Sequence, residues 1–265
     1  MNSAIKPGAA LVTGGAARIG RALALALATD GWDVAISYVG ASEDAEATVA
    51  DIRAMGRKSA VLQADFLDET QVETLIARAS DALGAPLTCL INNASIFEFD
   101  DIASMTRSSW DRAIESNLRA PIKLTQDFAA QAPETGSDAS GEPVAQACVI
   151  NMLDQRVRKP TPMFMSYSIA KMGLYAFTTS AAQGLAPRIR VNGIGPGPTL
   201  VGGRQSDEHF AAQRASTILE RGSNPEDMVA ALRFILASPA LTGQMLAMDG
   251  GQHLAWQTPD ILGVE

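Results

Sequence analysis

Tyr167 and Lys171 stand four residues apart in the stretch YSIAK. On a helix that spacing puts both side chains on one face, about one turn apart. A phenol has a reference pKa of about 10, too high for ready ionisation at neutral pH. A neighbouring ammonium stabilises phenolate, so Lys171 is expected to make Tyr167 a better acid toward a bound substrate. Thirteen residues before the tyrosine, Asp154 stands in NMLDQ, just behind the apolar run ACVI. A carboxylate at the end of a buried strand is costly unless it is paired or takes part in chemistry. Its structural alternative is to cap the loop that follows.

A second chemical element lies near the start of the chain, where residues 11–20 read LVTGGAARIG. This is the pattern of a strand that turns through glycines into a helix. Gly14 allows the tight turn and Gly20 allows the helix to pack closely on the sheet. The free N–H groups at the helix start suit a pyrophosphate, so a dinucleotide is the expected ligand.

These groups need a frame to hold them. Short apolar runs alternate with longer helical patterns: AALVT (9–13), DVAIS (33–37), SAVLQ (59–63), LTCLIN (87–92), ACVINM (147–152), RIRVNGI (188–194) and QMLAM (244–248). Strands that are apolar on both faces and separated by helices predict a parallel sheet covered on both sides, a doubly wound α/β fold of the Rossmann type. The 265 residues, 47% hydrophobic, suit a single domain covering 1–265. The stretch 132–144, rich in Pro, Gly, Ser and acid, predicts an exposed loop. The stretch 196–223 follows a strand's carboxyl end, where ligands sit in open α/β sheets, and predicts a substrate lid.

Composition narrows the partners. The formal net charge is −8 and no basic run breaks it, which argues against nucleic acid and anionic membrane. Cys89 and Cys148 lie in apolar segments and are expected to be reduced core residues of a cytoplasmic protein. His209 and His253 are far apart and no Cys/His cluster has ligand spacing, so no metal is expected. The N-terminus offers no apolar segment for a leader or a membrane span. A small-molecule substrate is the partner that remains.

Four motifs in order, TGGAARIG (13–20), NNAS (92–95), YSIAK (167–171) and NGIGPG (192–197), together resemble the short-chain dehydrogenase/reductases. The resemblance runs over nearly the whole chain, to MDGG at 248–251. It implies catalytic roles for Tyr167, Lys171 and Asn117, the last through a helix that relays a water to the lysine. It also implies cofactor contacts from Gly14, Arg18, Ile19, Gly20, Asn93, Ala94, Ser95, Pro196 and Gly197, with the Arg18 guanidinium near the pyrophosphate, Asp65 accepting from the adenine amino group and Tyr167 and Lys171 near the ribose. After the second strand, AISYVGAS offers the hydroxyls of Ser37, Tyr38 and Ser42 and no carboxylate before Glu43. A 2′-phosphate is not repelled there, so NADP(H) is the expected cofactor.

Two positions depart from the usual pattern. Arg18 stands where a glycine is usual, and Asp154 stands where a serine usually binds a substrate carbonyl. Ser166 is expected to point away from that place and Thr161 to lie too far along the loop. Both departures resemble the pteridine reductase and dihydromonapterin reductase branch. That branch implies a substrate site of Arg18, Ser95, Phe97, Asp154 and Tyr167, with Phe97 stacked on a pterin. The expected activity is NADPH-dependent reduction of a pterin, of dihydropterin or dihydrofolate type. A carbonyl or 3-oxoacyl reductase would call for serine at 154, and a non-catalytic NADP(H) sensor has no need of the Tyr, Lys and Asn set. The family resemblance implies a homotetramer built through helices near 108–130 and 165–185, with the tail QHLAWQTPDILGVE packed at a subunit interface.

Overall fold

A computed structural model describes residues 5–40, 42–203 and 205–257. The chain opens on β1 (Ala9–Val12) and α1 (Arg18–Thr29), then β2 (Asp33–Tyr38), α2 (Ser42–Ala54), β3 (Ser59–Gln63), α3 (Glu69–Leu83) and β4 (Leu87–Asn92). Next come α4 (Arg107–Ile114), a π-helical turn over Glu115–Arg119, and α5 (Ala120–Gln131). The short strands β5 (Gly136–Ser137) and β6 (Pro143–Val144) precede β7 (Ala147–Met152), α6 (Met165–Leu185) and β8 (Ile189–Pro196). The described chain ends with α7 (Asp207–Ala215), α8 (Pro225–Ala237) and β9 (Met245–Met248).

Seven strands form one parallel sheet in the order β3-β2-β1-β4-β7-β8-β9. This is the doubly wound Rossmann-type architecture expected from apolar runs separated by helices. Alternate residues of β1 point to opposite faces, as a strand's period of two requires. Ala10 and Val12 pack with α1, α2 and α8, while Ala9 and Leu11 pack with α3, α5 and α6. Each face thus buries its own core, and β1 and β7 are fully buried strands. Cys89 and Cys148 are direct neighbours across β4 and β7, free and buried, and burial pushes the Cys148 thiol up to about 11.

Three local features refine the expectations. The helix foreseen near 108–130 is broken by the π-helical turn. The stretch 132–144 is not plain loop, because β5 and β6 pair as a small antiparallel hairpin. Its turn is tied by the Asp138 carboxylate, which accepts from the N–H groups of Ser140 and Glu142. The stretch 196–223 contains α7, and Arg214 knits its two ends together by donating to the carbonyls of Pro198, Gly222 and Ser223.

Candidate active site

A cleft of about 880 Å³ lies at the carboxyl ends of the strands. Every sequence-predicted site residue except Asn117 and Ser42 lines it, though they come from all parts of the chain.

At one end, Gly14 takes a left-handed conformation (φ +63°). A Cβ placed on Gly20 would lie 2.2 Å from the Gly14 carbonyl oxygen, so loop and helix meet backbone to backbone. The start of α1 has no side-chain cap and no acidic residue in its first turn. Ala17, Arg18 and Ile19 at that start face the cleft. A helix N-terminus of this kind suits an anion, and the cradle fits a dinucleotide's pyrophosphate. The loop is braced from behind. Asn93 donates from Nδ2 to the carbonyls of Thr13 (2.9 Å) and Gly14 (3.2 Å). Buried Thr13 accepts at Oγ1 from the N–H groups of Asn93 and Ala94, each at 2.9 Å.

Several predicted contacts are placed differently from expectation. Ser37 is buried at the cleft and its Oγ accepts the Gly14 N–H at 3.2 Å, so it also braces the loop. Tyr38 lines the cleft, whereas Ser42 opens α2 and does not. Asp65 faces the cleft and accepts the Leu67 N–H at 3.0 Å. Arg18 adopts φ +55°, a conformation that favours glycine, which accounts for the residue usual at this point. Its guanidinium does not lie over the loop. It reaches across the cleft and donates to the carbonyls of Val201 (3.0 Å) and Leu200 (3.3 Å).

At the other end, β7 delivers Asp154 and α6 delivers Tyr167 and Lys171. The Tyr167 hydroxyl donates to Asp154 Oδ2 at 2.9 Å. The other carboxylate oxygen accepts the Arg156 N–H at 2.8 Å and caps the short turn Gln155–Val157. Pairing and capping are therefore both present in one side chain. Lys171 is buried and donates to the Met152 carbonyl at 2.7 Å, with its Nζ 5.7 Å from the centre of the Tyr167 ring. Burial lowers its pKa to about 8, with partial compensation by the Asp154 charge.

The expected lowering of the tyrosine pKa is not found. Burial, reinforced by the adjacent Asp154 charge and hydrogen bond, holds the phenol well above its usual value. Burial also raises the pKa of Asp154, against the opposing pull of the Arg156 N–H, the Arg156 and Lys171 charges and Tyr167. Tyr167 is thus held as a neutral phenol that donates its hydrogen bond to the Asp154 carboxyl group.

Asn117 is buried in the π-helical turn, and its amide is spent on the loop after β4. Oδ1 accepts from Ser95 Oγ (2.6 Å) and the Ile96 N–H (3.1 Å), and Nδ2 donates to the Ile96 carbonyl (2.9 Å). The π turn places the amide against that loop. Ser166 points away from Asp154, as expected, and gives its hydroxyl to Asp100 at 2.5 Å. Thr161 is held by Arg156 at 2.5 Å. Phe97 faces the cleft but already has two ring partners. It stacks on Phe164 at 4.2 Å and 7°, and meets Tyr167 edge to face at 4.7 Å. Sequence reasoning missed Phe164, Arg156 and Asp100. No glycine marks the left-handed turn at 164, and EFDD gives no hint that Asp100 is buried.

The glycine loop, the braced Asn93 and the Tyr167/Lys171 face occur together on a seven-stranded parallel sheet. The family described as short chain dehydrogenase matches residues 8–211. The chain belongs to that family. Among curated short-chain relatives, the 3-oxoacyl-[acyl-carrier-protein] reductase FabG of Staphylococcus aureus is 32% identical over 250 residues, covering 92% of this chain and 98% of the relative. Among solved structures, FolM alternative dihydrofolate reductase 1 from Brucella canis, complexed with NADP, is 40% identical with a TM-score of 0.89. That match covers 97% of this chain and 98% of the other. A short chain dehydrogenase from Burkholderia cenocepacia in complex with NADP is 31% identical with a TM-score of 0.82, covering 94% and 98%. Among the described residues of this short-chain dehydrogenase, no helix is long and apolar enough to cross a membrane, and no group of acids, histidines and cysteines could hold a metal ion.

Proposed function

We propose that this oxidoreductase uses NADPH to reduce a pterin of dihydropterin or dihydrofolate type. The observation that carries the reading is the Asp154–Tyr167 pair, a carboxyl group where a carbonyl reductase needs a neutral donor. The likeness to a FolM alternative dihydrofolate reductase complexed with NADP supports both halves of it.

The chain's residues fit the cofactor. The uncapped start of α1, with Gly14, Ile19 and Gly20, holds the pyrophosphate. Tyr38 and Asp65 flank the adenosine end, and the lack of a carboxylate after β2 favours the 2′-phosphate. Asn93, Ala94, Ser95, Pro196 and Gly197 line the path to the nicotinamide end, where Tyr167 and Lys171 hold the ribose. When bound, the reduced nicotinamide supplies a hydride.

A pterin ring that receives a hydride at carbon must take a proton at nitrogen. Tyr167 donates that proton and Asp154 replenishes it. Burial keeps the carboxyl protonated to higher pH than usual, which suits a proton reservoir. Lys171 fixes the end of β7 through Met152 and supplies positive charge beside the pair. Phe97 offers its remaining ring surface to the flat substrate, being 49% exposed. Arg18 closes the segment 196–223, read as a lid, over the cleft. We further propose a cytoplasmic homotetramer, supported by the apolar Ile169 exposed on α6 and by Phe234, Leu254 and Trp256 exposed near the C-terminus.

The test is NADPH oxidation with dihydrobiopterin, dihydromonapterin, dihydrofolate and an acetoacetyl thioester, wild type beside Asp154→Ser. We expect pterin turnover that falls at least about 100-fold in the variant, the usual scale for losing a proton-transfer group. Turnover of the thioester alone, kept or raised in Asp154→Ser, would make the chain a carbonyl reductase like its FabG relatives. NADPH binding with no turnover of any of the four would make it a sensor.

A further inference from the structure

Asp154, Tyr167 and Phe97 must be held in register, yet they come from three separate loops and helices. The register of two of them is set by residues outside the predicted site. Phe164 immediately precedes α6 in a left-handed conformation, φ +57° and ψ +49°. For a bulky side chain that is an outlier, and such outliers persist only where the surroundings hold them and cluster at functional sites. The hold is visible. The Asp100 carbonyl accepts the Phe164 N–H at 2.7 Å. The Asp100 carboxylate, 3% exposed, accepts both the N–H (3.1 Å) and the hydroxyl (2.5 Å) of Ser166. It accepts the Ser109 hydroxyl of α4 as well, at 3.3 Å. α6 has no cap from its own N-cap side chain, so Asp100 caps it from another loop.

The strained turn places the Phe164 ring flat against Phe97, 4.2 Å between centres and 7° from parallel. Phe99 meets the same ring edge-on at 5.4 Å, and the Arg156 guanidinium lies 5.1 Å from its centre. Phe164 is therefore wedged between planar partners, and one of them is the proposed stacking face.

We propose that Phe164 is a positioning residue for substrate selection. It backs the Phe97 ring and fixes its plane relative to Tyr167, so that the cleft takes a flat heterocycle in preference to a flexible acyl chain. Asp100 holds this aromatic backing and the first turn of α6 as one unit. The proposal deepens the pterin reading and rests on it for the choice of substrate.

The variant to use is Phe164→Leu, which keeps apolar volume and loses the flat face, with Phe164→Tyr as the conservative control. For dihydrobiopterin with NADPH, Phe164→Leu is expected to raise KM by about 3- to 10-fold, the worth of a stacked aromatic pair, with kcat within about threefold. KM for an acetoacetyl thioester and the Kd for NADPH stay within about twofold, and Phe164→Tyr behaves as wild type. Because Phe164 acts through Phe97, the double variant Phe97→Leu/Phe164→Leu is no worse than Phe97→Leu alone. Multiplying effects in the double variant, or a loss of kcat with KM unchanged, overturns the proposal. A crystal structure of Phe164→Leu with NADP separates it from the substrate reading: an unmoved Phe97 ring overturns positioning even if no pterin is reduced. A displaced ring in an enzyme that reduces only the thioester supports positioning and removes the pterin.

Discussion

Asp154 is costly to the folded chain because burial opposes its charge. Burial raises its pKa above the ordinary carboxyl value, so the folded state binds this proton more tightly than the unfolded state. Stability from this group is therefore greatest at low pH. It declines as pH rises from the unfolded pKa, about 4, through the raised folded one. An asparagine side chain at this position cannot ionise and can still accept the Arg156 N–H. Asp154→Asn should be more stable than wild type at pH 7 by about 0.5–2 kcal/mol, the gain typical of relieving a strained functional position. The advantage should vanish near about pH 4, where the unfolded aspartate is itself half protonated. Urea denaturation of both proteins at about pH 4, 5.5 and 7 checks this, and equal midpoints at pH 7 would contradict it. This residue was legible in the sequence because a carboxylate behind ACVI breaks a local rule. The tyrosine's pKa was not legible. Its sign is set first by burial and then by the Asp154 carboxyl beside it, and four-residue spacing names neither.

Elements position these residues through contacts that sequence period cannot express. The strands were readable because burial on both faces leaves uninterrupted apolar runs, and ACVINM and LTCLIN match β7 and β4 end to end. The π-helical turn was not, since one extra residue in a helical turn leaves no compositional mark. Nor was the bond from Arg18 to Leu200 and Val201, which joins points more than 180 residues apart. The junction of β1 and α1 gives the sharpest element-level expectation. A Cβ at position 20 would meet Gly14 O at 2.2 Å and Asn93 Nδ2 at 2.5 Å, and backbone cannot yield as a side-chain tip can. Gly20→Ala should lose about 1–3 kcal/mol in chemical denaturation and should weaken NADPH binding together with stability. Unchanged nucleotide affinity, read from NADPH fluorescence, would place the phosphates elsewhere.

At the scale of the whole molecule, a net charge of −8 favours solubility while two apolar regions remain open. Ile169 on α6 is 39% exposed and Phe234 on α8 is 55% exposed. Sedimentation should show the mass of four subunits for wild type. Ile169→Asp should give smaller species with unchanged circular dichroism, because an ionised group cannot enter an apolar interface without a partner. A monomeric wild type would remove the assembly proposed above. The part of the tail beyond residue 257 lies outside the described residues.

The strand order also fixes when the cleft becomes complete. β9 is the last strand of the described chain and pairs only with β8, whose far end carries Pro196 and Gly197. Gly197 packs so tightly on Asp249 that an added Cβ would lie 2.7 Å from its Cα. A chain in which residues 245–249 are not yet in place therefore has an open edge at β8 and an unfinished wall at the cleft. Such an edge is a template for pairing with other chains. Loss of β9 thus removes a neighbour of the cleft and exposes a strand edge prone to pairing.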